Sequence, residues 1–218
     1  MQTIQTVVFF PDIKLKARDA HKMRGYFGQL FKEHSPLLHN HYDDGSSRYR
    51  YPLVQYKVVD EVPVLVGFNE GAELLVTLFL KIKEIDIDGK VFPVLGKNIR
   101  QTTYDLEPNG KLNRYEFKTL WMALNQKNYA VYRNLDDKQK KEFLDRTLQN
   151  NILSFFKGLN YYTTERIMVT TDLIEKQTQF KDQKMLAFSG NFVTNAVLPD
   201  LAGIGKAVSR GFGTVSKI

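Results

Sequence analysis

The sequence predicts an α+β protein built as two tandem ferredoxin-like halves, each a β-α-β-β-α-β arrangement, and three observations carry that prediction. Short runs rich in β-branched and aromatic residues take turns with runs of helical spacing. In the first half these runs follow the split-βαβ order of strand, helix, two strands, helix and hairpin. Near the midpoint, Leu106-Glu107-Pro108-Asn109-Gly110 concentrates turn-forming residues and divides the chain into a domain over 1–106 and another over 111–218.

Thr3–Phe10 alternates weakly and is closed by Pro11-Asp12, which predicts a strand. From Ala17 to about His34 the apolar set Ala20, Met23, Phe27, Leu30 and Phe31 keeps helical spacing. The stretch SPLLHNHYDDGSSR is a polar loop with a Pro and an Asp-Asp-Gly turn. Tyr51–Val59 and Val62–Phe68 read as strands around Asp60-Glu61, and Glu70–Leu80 reads as a helix. Glu84–Asp88 and Val91–Leu95 form a hairpin around Asp88-Gly89.

Beyond the boundary, Arg114–Leu124 fits a strand or a short helix. Asp136–Phe156 is a long helix: Asp136 can cap it, and Phe143, Leu144, Leu148, Ile152 and Phe155 make one apolar stripe. Gly158 is placed to end it. Arg166–Ile174 and Met185–Val193 read as strands, and a glycine-rich loop leads to a terminal strand over Gly213–Ile218. The second half reads as a degenerate copy of the first, by pattern and not by repeated sequence.

Composition narrows the function classes. Of 218 residues, 43% are hydrophobic and 25% charged, the profile of a soluble globular chain that buries a core. The apolar run around Leu74–Leu80 is too short to span a bilayer, so no membrane role is expected. The N-terminus has no basic n-region or small-residue cleavage site, and the expected location is cytoplasmic. With no cysteine, disulfides, thiolate zinc sites and cysteine nucleophiles are excluded. The excess of 31 Lys and Arg over 24 Asp and Glu, net +7, suits a polyanionic partner and equally suits plain solubility.

The chain closes on GIGKAVSRGFGTVSKI, residues 203–218. It is not a dinucleotide fingerprint, because the third glycine of G-x-G-x-x-G would fall at Val208 and too little chain follows for a βαβ unit. No segment fits a Walker A loop either, so no nucleotide cofactor is expected. What remains is Gly-h-Gly, five residues, Gly-h-Gly: Gly203 and Gly205, then Lys206 and Arg210, then Gly211 and Gly213. Glycines let backbone N–H groups come close to an anion, and the two basic side chains supply charge. Glycine bulges ahead of an edge strand are the competing reading.

This loop, at the end of two ferredoxin-like halves, resembles that of the CRISPR repeat-processing endoribonucleases (Cas family six, within the RAMP superfamily). In motif the resemblance covers the last residues alone; in architecture it covers the whole chain. It implies binding of CRISPR repeat RNA and cleavage within each repeat to give mature crRNA, without a metal. The 2′-hydroxyl attacks the adjacent phosphate and leaves a 2′,3′-cyclic phosphate. It also implies RNA-backbone contacts from Gly203, Gly205, Lys206, Arg210, Gly211 and Gly213, and either a homodimer or a place among the proteins of a CRISPR effector complex.

Such a cleavage needs a group of near-neutral pKa for the 2′-hydroxyl proton, an acid for the leaving oxygen and a cation beside the phosphorus. Histidine suits the first two roles. Of the 4 histidines, His34, His39 and His41 cluster in or just before the polar loop after the first helix, where the family keeps its catalytic histidine. His41 ranks first, His39 second and His34 third. In an extended loop residues two apart face one side, so His39 and His41 could address one phosphate. Some family members follow such a pair with a tyrosine, and Tyr49 is the candidate, with Tyr42 and Tyr51 as the others. Arg48-Tyr49-Arg50-Tyr51 interleaves cations with rings that could stack on bases, with Arg48 and Arg50 on the backbone. The same alternation fits a strand with one solvated face. Two further readings stay open: an RNA-binding subunit without catalysis, and a metal-dependent nuclease using His39, His41, Asp43 and Asp44.

Overall fold

The structure is a computed structural model, and it describes residues 2–31, 51–108, 110–180 and 183–218. The chain divides into two compact units. One holds residues up to Asp105 together with Val208–Gly211, and the other holds Leu106–Ala207 and Phe212–Ile218. Among the described residues no helix is long and apolar enough to cross a membrane.

The first unit contains β1 (Gln2–Phe9), α1 (Ala20–Leu30) behind a 3-10 turn at Ala17–Asp19, β2 (Val54–Val59), β3 (Val62–Phe68) and α2 (Glu70–Phe79). A short hairpin, β4 (Glu84–Ile87) and β5 (Lys90–Pro93), precedes β6 (Asn98–Asp105). The main sheet has the order β2-β3-β1-β6 with antiparallel neighbours, which is the ferredoxin-like order. Valines in register, such as Val7 against Val66, fix the central pair. Phe27 of α1 anchors the helical layer, stacked on Phe10 at 6.3 Å and on Tyr56 at 5.9 Å. Ala72, Leu75 and Leu78 bring α2 down beside it.

One expectation is corrected here. The hairpin over 84–93 does not supply the fourth strand of the sheet but forms a separate two-stranded sheet of its own. The fourth strand is β6, which pairs with β1 along its whole length, from Gln2 against Asp105 to Phe9 against Asn98. The strand expected from Tyr51 begins at Val54, after Pro52.

The second unit contains β7 (Asn113–Phe117), α3 (Gln126–Tyr132), α4 (Asp137–Gly158), β8 (Val169–Phe180), β9 (Gln183–Thr194) and β10 (Val215–Lys217). Its sheet order, β10-β7-β9-β8, repeats the topology of the first unit. Arg114–Leu124 resolves into β7 and an irregular stretch whose Trp121 bridges to Phe188. Trp121 stacks on Phe117 at 5.4 Å. Leu144, Leu148, Ile152 and Phe155 bury the inner stripe of α4. The helix ends at Gly158 as expected, with Leu159 as its C-cap and Asn160 taking the left-handed φ of 61°.

Asp136 caps α4 through a reciprocal pair. Gln139 N–H donates to Asp136 Oδ1 at 2.8 Å, and Asp136 N–H donates to Gln139 Oε1 at 3.1 Å. Asp136→Ala is therefore expected to cost about 1 kcal/mol, read as a lower urea midpoint at unchanged slope.

Where the ferredoxin-like pattern calls for a second helix between β9 and β10, the second unit has an irregular segment. It carries Pro199, Gly203, Gly205, Gly211 and Gly213, a composition that cannot sustain a helix. That departure from the repeat is the candidate site.

Candidate functional site

The segment from Asn195 to Thr214 is irregular but tied down at many points. At its start, Asn195 Oδ1 accepts from Met168 N–H at 2.8 Å and Asn195 Nδ2 donates to Arg166 O at 3.0 Å. Leu198 N–H donates to the buried Tyr115 hydroxyl at 2.9 Å. Ser216 Oγ donates to Asp200 Oδ1 at 2.7 Å. Gly203 bridges to Thr214, and Ile204 N–H donates to Gly213 O at 2.8 Å. Gly203-Ile204 and Gly213-Thr214 thus run side by side.

The glycines are explained first by this packing. Gly213 sits at a φ of 63°, and a Cβ there would run into the carbonyl oxygen of Ile204. Gly211 sits at a φ of 88°, and a Cβ there would lie 2.8 Å from Ala20 Cβ in α1. Gly205 lies over the indole of Trp121, which donates to Asn151 Oδ1 at 3.1 Å.

Three of the loop's N–H groups are already used: Ile204 on Gly213 O, Gly211 on Val208 O and Gly213 on Leu120 O. The amide cradle expected from the sequence is thus spent inside the protein at those positions. The charge is carried by side chains instead. Lys206 is half-buried, and burial lowers its ammonium from the ordinary value. Arg210 ends the 3-10 turn Val208–Arg210, also half-exposed.

Two further basic groups lie near this part of the first unit, and neither was singled out in the sequence. Arg24 of α1 is half-buried; burial and then the charge of Arg210 lower its guanidinium from the ordinary value. Lys57 of β2 is fully buried, and burial lowers its ammonium to about 7. Its Cα lies 3.6 Å from the Cβ position at Gly211. Helical spacing could have flagged Arg24, which stands one turn after Ala20. Lys57 left no such signal, because lysines in strands are ordinarily solvated.

His39, His41, Tyr49, Arg48 and Arg50 lie outside the described residues, as do His34, Tyr42, Asp43 and Asp44. Tyr51 is described, and its hydroxyl accepts from Gln55 Nε2 at 2.6 Å. The remaining histidine, His21, is exposed near the start of α1 with Nδ1 2.6 Å from Arg18 O.

Two ferredoxin-like units in tandem, with a basic glycine-rich loop over residues 203–213, define a protein of tandem ferredoxin-like fold. Comparison with known proteins narrows the class. A model of the Cas6b N-terminal domain matches residues 2–105 and one of the Cas6b C-terminal domain matches residues 108–218. A crystal structure of Cas6b matches at a TM-score of 0.95 and 37% identity, over 100% of both chains. A second, described as a CRISPR RNA processing endoribonuclease Cas6b, matches at a TM-score of 0.81 and 34% identity, again over 100% of both. An uncharacterized protein of Methanocaldococcus jannaschii is 34% identical over 144 residues, 65% of this chain and 97% of its own. The chain belongs to the Cas6b family of CRISPR-associated proteins.

Proposed function

We propose that this chain is an endoribonuclease that cuts CRISPR precursor RNA within its repeats, without a metal, leaving a 2′,3′-cyclic phosphate and a 5′-hydroxyl. The observation that carries this reading is the likeness, along the whole of both chains, to a Cas6b described as a CRISPR RNA processing endoribonuclease. The fixed, basic C-terminal loop supports it, because a loop held in place by its own hydrogen bonds loses little entropy on gripping RNA.

In this reading Lys206 and Arg210 hold the repeat backbone, and the loop glycines shape the surface that presents them. His41 takes the proton of the 2′-hydroxyl as its oxygen forms a bond to phosphorus. The bond to the 5′-oxygen breaks, and His39 returns a proton to that leaving oxygen. Tyr49 orients the reacting groups. Arg48 and Arg50 add backbone contacts, with Tyr49 stacking on a base.

Incubating the full chain with repeat RNA in EDTA, with and without a 2′-deoxy substitution at the scissile nucleotide, tests this directly. Cleavage in EDTA that the deoxy substitution abolishes is the expected result. Binding without cleavage would assign the chain to RNA binding alone, and loss of cleavage in EDTA would move the chemistry to a metal.

A further inference from the structure

α1 and the 3-10 turn Val208–Arg210 belong to the same unit and pack together. The contact is anchored at Ala20, whose Cβ lies 2.8 Å from the Cβ position of Gly211. Arg24 stands one helical turn beyond Ala20, on the same face of α1. Arg210 directly precedes Gly211, and the turn that presents it is closed by Gly211 N–H donating to Val208 O at 3.2 Å. Close packing of Ala20 on a glycine therefore brings two guanidinium-bearing side chains from distant parts of the sequence to one place.

We infer that Arg24 and Arg210 form a two-guanidinium clamp that holds a single backbone phosphate of the bound RNA. A phosphate held between two guanidinium groups is attracted to both. Each planar fork can give paired N–H bonds to phosphate oxygens, a geometry that lysine cannot match. The partial burial of Arg24, and the charge of Arg210 felt there, fit a site that binds an anion away from bulk water. Tyr56, stacked on Phe27 beneath α1, also acts electrostatically on Arg24 and marks the inner wall of the site. The clamp rests on the reading that the chain binds repeat RNA, and it adds Arg24 to the surface that reading assigns.

The test uses the full chain and a repeat RNA carrying 2′-deoxy at the scissile nucleotide, so that binding is read without cleavage, across a salt series. Arg24→Gln and Arg210→Gln should each weaken binding about tenfold. The double variant should lose little more than either single one and should lower the salt slope by about one phosphate. Arg24→Lys should fall between wild type and Arg24→Gln. One methylphosphonate position along the RNA should weaken wild-type binding and abolish the difference between wild type and Arg24→Gln.

A lowered melting temperature with an unchanged salt slope would make Arg24 merely structural and overturn the clamp. So would unchanged affinity in Arg24→Gln, or losses in the two single variants that multiply in full. Cleavage by wild type on unmodified RNA is scored separately. If wild type binds the repeat without cutting it, the endoribonuclease reading fails while the clamp result stands.

Discussion

His41→Ala is expected to slow cleavage of repeat RNA by about 10²–10⁴-fold while leaving affinity for the uncleaved RNA as in wild type. The reason lies in what each residue is asked to do. Removing a general base raises the barrier to proton transfer but takes no contact away from the RNA ground state. Single-turnover rates at saturating protein isolate that step, and a parallel binding titration isolates affinity. His39→Ala should give a second loss of similar kind. Equal rates for His41→Ala and wild type would pass the role of base to His39 or His34.

The fold was legible wherever burial is one-sided and local. α4 was predicted almost to the residue because Asp136 caps it and its apolar stripe recurs at helical spacing over Leu144, Leu148, Ile152 and Phe155. β3 was predicted at its observed bounds, Val62–Phe68, because an apolar run sits between turn residues. β6 was missed for the opposite reason. Its sequence, NIRQTTYD, lies at a sheet edge with every residue exposed or half-exposed, so no apolar alternation marks it. The hairpin over 84–93 drew the assignment of the last strand instead, because Asp88-Gly89 is a strong local turn signal and pairing partners are not local. α3 is short, and buries Tyr132 near its end while leaving Tyr129 and Val131 exposed. The missing second helix of the second unit could not be read as missing, because the repeat itself was inferred from pattern.

The candidate site was legible in its composition and not in its mechanics. The spacing of Gly203, Gly205, Gly211 and Gly213 and the basic filling stood out at once. That three of the loop's N–H groups are spent on Gly213 O, Val208 O and Leu120 O depends on contacts up to 93 residues apart in sequence, between Leu120 and Gly213. Arg24 was hidden in the same way. As one basic residue on an amphipathic helix it looks like part of a solvated face, and its meaning comes from Gly211, which the fold returns to α1 from near the chain's end.

That close fit makes Gly213→Ala the substitution of largest expected structural effect. A Cβ at this position meets the backbone carbonyl of Ile204, which cannot swing aside as a flexible side chain would. Moving the backbone apart instead would disturb the bonds from Ile204 N–H to Gly213 O and from Gly213 N–H to Leu120 O. Left-handed strain for a residue with a Cβ contributes about 1 kcal/mol. Forced displacement of packed atoms adds about 1–3 kcal/mol. The expected loss is therefore about 2–4 kcal/mol, a fall in melting temperature of roughly 4–16 °C for a chain of this size. Gly89→Ala is the matched control. Gly89 also has a positive φ, 81°, but a Cβ there meets nothing within 4 Å, so only the strain of about 1 kcal/mol should appear. Because Gly213 joins the two sides of the loop, the variant should also bind repeat RNA more weakly at temperatures where it is still folded. A Gly213→Ala protein no less stable than Gly89→Ala would mean that the loop relaxes around the added methyl, and the close crossing at Ile204 would lose its part in holding Lys206 and Arg210 in place.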